Sequence, residues 1–122
     1  MALLHAGLST SILYFMLIAG LWGLTRAALK RGIDSNYWGI LVIGELVLVV
    51  QATLGLLLWF GGARPGRGGI HMLYGAVSAL ALPAYFAISR GREDRRAAFF
   101  YGLLCLLLVA LSIRASITGG SI

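Results

Sequence analysis

Histidine is the side chain whose neutral ring nitrogen binds a haem iron or another metal near neutral pH. This chain has two, His5 and His71. The other groups that could carry chemistry are Glu45, Gln51 and Arg114, which fall within apolar runs, and Arg64 and Arg67, which stand between two of those runs. Polar groups inside hydrocarbon are costly, so the few that occur are functional candidates. Two imidazoles on different helices of a bundle can hold one haem iron from both sides. The three arginines suit haem propionates, because guanidinium pairs with carboxylate through two parallel hydrogen bonds. The plainer reading is histidines resting at a membrane interface and arginines pairing with lipid headgroups. Cys105 is the single cysteine. No disulfide, CxxC redox pair or thiolate metal site follows from it.

Of the 122 residues, 60% are hydrophobic and 11% charged. A soluble domain carries ~25% charged residues, and a chain this short has too little interior for so much apolar surface. The composition predicts an integral membrane protein. It excludes a secreted disulfide scaffold, a disordered tail and a nucleic-acid-binding domain. The net charge of +6 comes from bases placed between apolar runs, where they act as topology signals.

Four such runs are present, roughly Leu3 to Thr25, Tyr37 to Phe60, Ile70 to Ser89 and Ala97 to Ile117. Each is near the ~20 residues that cross ~30 Å of hydrocarbon as a helix. None alternates with period two, so barrel strands are excluded. Short connections force neighbouring helices to be antiparallel. The expected fold is all-α, one domain over residues 1–122, a four-transmembrane-helix up-down-up-down bundle without an internal repeat.

Seven bases fall at one end: Arg26, Lys30, Arg31, Arg90, Arg92, Arg95 and Arg96; the other end has Arg64, Arg67 and Arg114. The positive-inside rule places the seven in the cytoplasm and both termini outside, in a bacterial inner membrane. With no basic segment before the first helix and no small-residue cleavage site, that helix reads as uncleaved. Aromatic pairs mark the expected interfaces: Tyr37 and Trp38, Trp59 and Phe60, and Phe99 to Tyr101.

Helices 1 and 3 run the same way, so His5 and His71, opening them, share the outer leaflet. A helix N-terminus disfavours imidazolium and leaves the neutral ring that a metal needs. Gly75 and Ala79 follow His71 by one and two turns, and Ser9 follows His5 by one. Small residues there leave room for a flat macrocycle, or else merely let helices pack closely. Glu45 is the lone acid within a span; the readings are a neutral carboxyl hydrogen-bonded to a neighbouring helix or a proton relay. Gln51, with Gly44 and Gly55 on its face, suits a close helix interface with one polar tie. Pro83 removes the bond to the Ala79 carbonyl and is expected to kink the third helix.

The stretch QATLGLLL, a glycine-rich loop and then HMLYG resemble the haem A synthase family. That family is built from two four-helix halves, each with a histidine pair near the outer face. The matching positions are Gln51, Leu54 and Gly55, then His71, with His5 as the other histidine of one half. The resemblance implies haem b held axially by His5 and His71, as in small bis-histidine membrane b-type cytochromes. The family's catalytic glutamate has no counterpart among Met1 to Leu4, and its cysteine pair is absent. Enzymatic oxidation of haem is therefore not implied. Two functions from different classes are expected: a haem-binding electron carrier or haem-handling protein, and a cofactor-free accessory subunit of a respiratory or photosynthetic complex. A transporter would show broken helices and several midplane polar groups.

The charge count is checked by labelling single cysteines with a membrane-impermeant reagent from outside. Gly66→Cys should react and Arg92→Cys should be protected; the opposite pattern reverses the orientation.

Overall fold

A computed structural model describes residues 2–62 and 68–118, with side chains described for residues 3–62 and 71–114. It contains four helices in chain order: α1 Ala2–Ala28, α2 Ser35–Phe60, α3 Gly68–Ser89 and α4 Arg95–Thr118. Each carries a segment long and apolar enough to cross a membrane. Large apolar side chains cover the outside, among them Ile18, Leu46 and Leu80. In water that surface would drive aggregation; in lipid it is the solvated face. The chain is an integral membrane four-helix bundle.

The helices form a ring in which α1 touches α2 and α4, and α3 touches α2 and α4. α1 and α3 are thus diagonal neighbours. The α1–α4 contact is the most extensive. A Cβ placed on Gly102 would lie 2.8 Å from the Leu24 nitrogen and 2.9 Å from the Gly20 carbonyl oxygen. One on Gly23 would lie 2.9 Å from the Gly102 Cα and would meet the Tyr37 hydroxyl. The two backbones touch there, as small residues permit between membrane helices.

The helices extend a few residues past the apolar runs because their caps satisfy the ends. α1 and α3 both finish in a Schellman arrangement, with Lys30 (φ 59°) and Arg90 (φ 55°) in the left-handed conformation usually taken by glycine. The Arg31 amide donates to the Arg26 carbonyl at 2.8 Å, and the Gly91 amide to the Phe86 carbonyl at 3.1 Å. Asp34 then caps α2 by accepting from the Tyr37 amide, and Asp94 caps α4 by accepting from the Ala97 amide, each at 2.9 Å. Two helical hairpins with similar turns are therefore laid side by side, a likeness that the loop sequences conceal. The turns also join: the Ile33 amide donates to the Glu93 carbonyl at 2.7 Å, and Arg95 Nε to the Ala27 carbonyl at 2.6 Å.

Two expected interface anchors belong to the core instead. Tyr37 and Tyr101 are buried. The Tyr37 hydroxyl donates to the Ala19 carbonyl at 2.9 Å, which satisfies it inside the bundle. Tyr101 packs edge-on against Tyr85 and Trp38, with ring centres at 4.7 and 5.5 Å. Trp38 keeps an interfacial role, its indole donating to the Glu93 carboxylate at 2.8 Å. α3 continues helically through Pro83.

The α1–α4 contact predicts a specific asymmetry among glycines. Gly102→Ala drives a methyl into backbone that cannot yield, and overpacking of this kind costs ~1–3 kcal/mol. Gly39, whose added Cβ would meet nothing within 4 Å, should tolerate alanine. Detergent-unfolding titrations of the two variants check this; equal stability would place the tight contact elsewhere.

Candidate functional site

Helix α1 opens with His5 in its first turns, and α3 with His71 in its own. The diagonal placement turns both side chains toward the interior from opposite sides. Their ring centres lie 6.3 Å apart with the planes at 68°. Two in-line rings joined directly by an N–H···N hydrogen bond of ~2.9 Å would have centres ~5.2 Å apart. Two rings bonded to one metal at ~2.0 Å would have them ~6.3 Å apart. The observed centre separation is numerically that of the second case, in a pair that meets edge-on.

A cavity of ≈190 Å³ surrounds the pair. Ala6 and Ser9 of α1, Ala52 and Gly55 of α2, and Gly75, Ala76 and Ser78 of α3 line it. Ile12, Leu48 and Leu108 line its deeper part. A cavity of ~150 Å³ accepts one benzene. Ser9 and Gly75 stand where the sequence puts them. Ala79 does not line the cavity: it lies one residue beyond Ser78, the last lining residue of α3. The contribution of α4, Leu108 and Ser112, carries no mark in the sequence beyond a small polar residue in an apolar run.

His5 is held from α2. Gln51 Nε2 donates to the His5 carbonyl at 2.8 Å, and the ring packs over Gly55, whose added Cβ would lie 3.3 Å from His5 Cε1. Gly44 meets Met16 of α1 in the same way. The Gln51 face of α2 is thus its α1 interface, and the amide is the polar tie across it. Two buried atoms at this junction have no hydrogen-bond partner among the described residues, His5 Nδ1 and Gln51 Oε1.

Arg114 is exposed, two residues beyond Ser112 at the histidine end of α4, and does not line the cavity. Arg64 and Arg67 lie outside the described residues. Glu45 belongs to the other half of α2, away from the histidines. Its Oε1 is buried and has no partner among the described residues, so the expected hydrogen bond to a neighbouring helix is not formed there. Cys105 is buried in the core as a small apolar side chain.

Among the described residues, no group of three or more His, Cys, Asp or Glu side chains is placed to hold a metal ion. Comparison with family models, curated proteins and solved structures finds no match to this chain.

A buried polar atom without a partner weakens a fold, and replacing it by an apolar group of similar shape is neutral or stabilising. Glu45→Leu should therefore leave resistance to detergent unfolding unchanged or raise it by about 1 kcal/mol. A loss of similar size would show that the carboxyl has a partner in the membrane, in this chain or another.

Proposed function

We propose that this protein binds one haem b between His5 and His71 and serves membrane electron transport or haem handling. The 6.3 Å separation of the two rings across the α1–α3 diagonal carries the reading. The ligand inventory supports haem over a bare ion. A bare transition metal takes three or four protein donors, whereas haem iron arrives with four ring nitrogens and takes one or two more. Two histidines suffice for it. The small side chains around the rings leave space beside the helices for the flat ring.

When bound, haem supplies a reversible one-electron change at its iron. The chain's part is to hold, bury and orient it. His5 and His71 would hold its iron. Gly55, Gly75 and the alanines would face the macrocycle, with Leu56 and Met72 as the larger side chains at the same cavity. Arg114, with Arg64 and Arg67 assigned from sequence, would neutralise the propionates at the same end.

The seven bases at the far end give the orientation we adopt, with the histidines in the outer leaflet of a bacterial inner membrane and both termini outside. Assembly with other subunits of a bioenergetic complex is supported by α1. Its outward face shows Gly7, Thr10, Ser11 and Tyr14 exposed at helical spacing. Small and polar residues in that pattern are how membrane helices associate. If no haem binds, the protein is the cofactor-free subunit that this face suits.

The test is the absorption spectrum of protein purified after haem supplementation and reduced with dithionite. Soret and alpha bands of a six-coordinate haem b are expected, lost in both His5→Ala and His71→Ala. Wild-type protein without these bands, or bands that survive in both variants, would overturn the reading.

A further inference from the structure

A neutral imidazole carries one N–H, so a ring that ligates through one nitrogen keeps its proton on the other. In metal sites that second nitrogen almost always donates to an acceptor, which fixes the tautomer and the ring's direction. On His5, Nδ1 is buried and has no partner among the described residues. Gln51, which bonds the His5 backbone, has a buried and unpartnered atom of the opposite kind, Oε1. The amide cannot be reversed to exchange its atoms, because Nε2 is already donating to the His5 carbonyl at 2.8 Å. The oxygen is therefore the end left over, on the residue that already grips His5. The Cε1 side of the ring lies against Gly55.

We infer that Gln51 is a positioning residue for the haem site. Its Oε1 accepts the Nδ1 proton of His5 and leaves the Nε2 lone pair of that ring directed across the diagonal toward His71. The inference rests on the haem reading given above for its purpose, but not for its chemistry, since the tautomer is a property of the protein alone. Gln51 uses both ends of one amide. The nitrogen fixes the backbone of α1 against α2, and the oxygen fixes the ring.

Two variants separate those roles. Gln51→Leu removes donor and acceptor; Gln51→Glu removes the donor and keeps an acceptor. Loss of such an outer partner typically weakens metal binding ~10–100-fold. Haem titration of the full chain in detergent should show that loss for Gln51→Leu and near-wild-type affinity for Gln51→Glu. The midpoint potential of Gln51→Glu should also fall, because a carboxylate acceptor pushes electron density through the imidazole and favours the oxidised iron. Equal loss in the two variants would assign Gln51 to helix packing and overturn the proposal. The second measurement needs no haem: ¹⁵N shifts of His5 in the haem-free protein should report the Nδ1–H tautomer in wild type and a mixture in Gln51→Leu. An Nε2–H tautomer in wild type overturns the proposal whether or not haem binds. Wild type with the Nδ1–H tautomer but no haem spectrum would instead overturn the haem reading and leave the Gln51–His5 pairing standing.

Discussion

Where two helix backbones meet without side chains between them, neither can rotate or slide without a clash, and everything attached inherits that register. α1 and α4 meet in this way at Gly20, Gly23 and Gly102. Lipid tails are as apolar as leucine, so helices in a membrane gain little from hiding apolar surface and depend on such close packing. Fixing α1 against α4 leaves α2 and α3 to complete the ring, and α3 then falls opposite α1. The Tyr37 ring follows from the same contact, its hydroxyl passing beside Gly23 to reach the Ala19 carbonyl. A side chain at Gly23 would remove both the backbone approach and the seat for that hydroxyl.

The two ends of the bundle handle polar groups differently. At the basic end most are bonded, the exceptions in that half being the Tyr101 hydroxyl and Glu45 Oε1. Arg26 pairs with Asp34 at 3.2 Å and donates to the Gly32 carbonyl, Arg95 reaches the Ala27 carbonyl, and Glu93 serves both Ile33 and Trp38. These bonds close the carbonyl ends of α1 and tie the two turns into one cap. At the opposite end His5 Nδ1 and Gln51 Oε1 are buried without partners. Buried polar atoms are costly unless bonded. Natural folds concentrate such exceptions at functional sites, where local consistency yields to a task. His5 and Gln51 differ from the other two, Tyr101 and Glu45, in lining a cavity with small side chains around it.

Much of the architecture was legible from residue types alone. Four apolar runs of spanning length, short connections and the absence of period-two alternation dictate the bundle, and chain order puts the first turns of α1 and α3 at the same end. Depth and rotation around each helix were less legible. Tyr37 and Tyr101 open their helices at the level where aromatic anchors belong, yet a helix turns 100° per residue, and the ring faces inward or outward according to which neighbours can seat it. Nothing local reveals that Ala19 offers a carbonyl to Tyr37. The closest helix contact was also hidden, because Gly20, Gly23 and Gly102 are no more conspicuous than Gly7 or Gly39, beside which a Cβ would meet open space. The likeness of the two turns was masked because it resides in backbone conformation and in two capping aspartates, not in a shared string of residues.

The location of the histidines has a structural logic of its own. In an alternating ring of four helices, diagonal partners run parallel, and here α1 and α3 meet only through side chains such as the two histidine rings. Neighbouring helices are different: a macrocycle forced between α1 and α4 would separate the glycine contact on which the register depends. The diagonal is where the structure leaves interior space beside the two rings. The two parallel helices on it also begin at the same end, so residues in their first turns face each other without any special turn or kink. His5 and His71 occupy those positions. A tie from the third helix, Gln51, holds one of them by its backbone. Rigidity at the basic end and openness at the other are thus parts of one arrangement: the packed half supplies the fixed geometry, and the open half spends it on two rings held 6.3 Å apart.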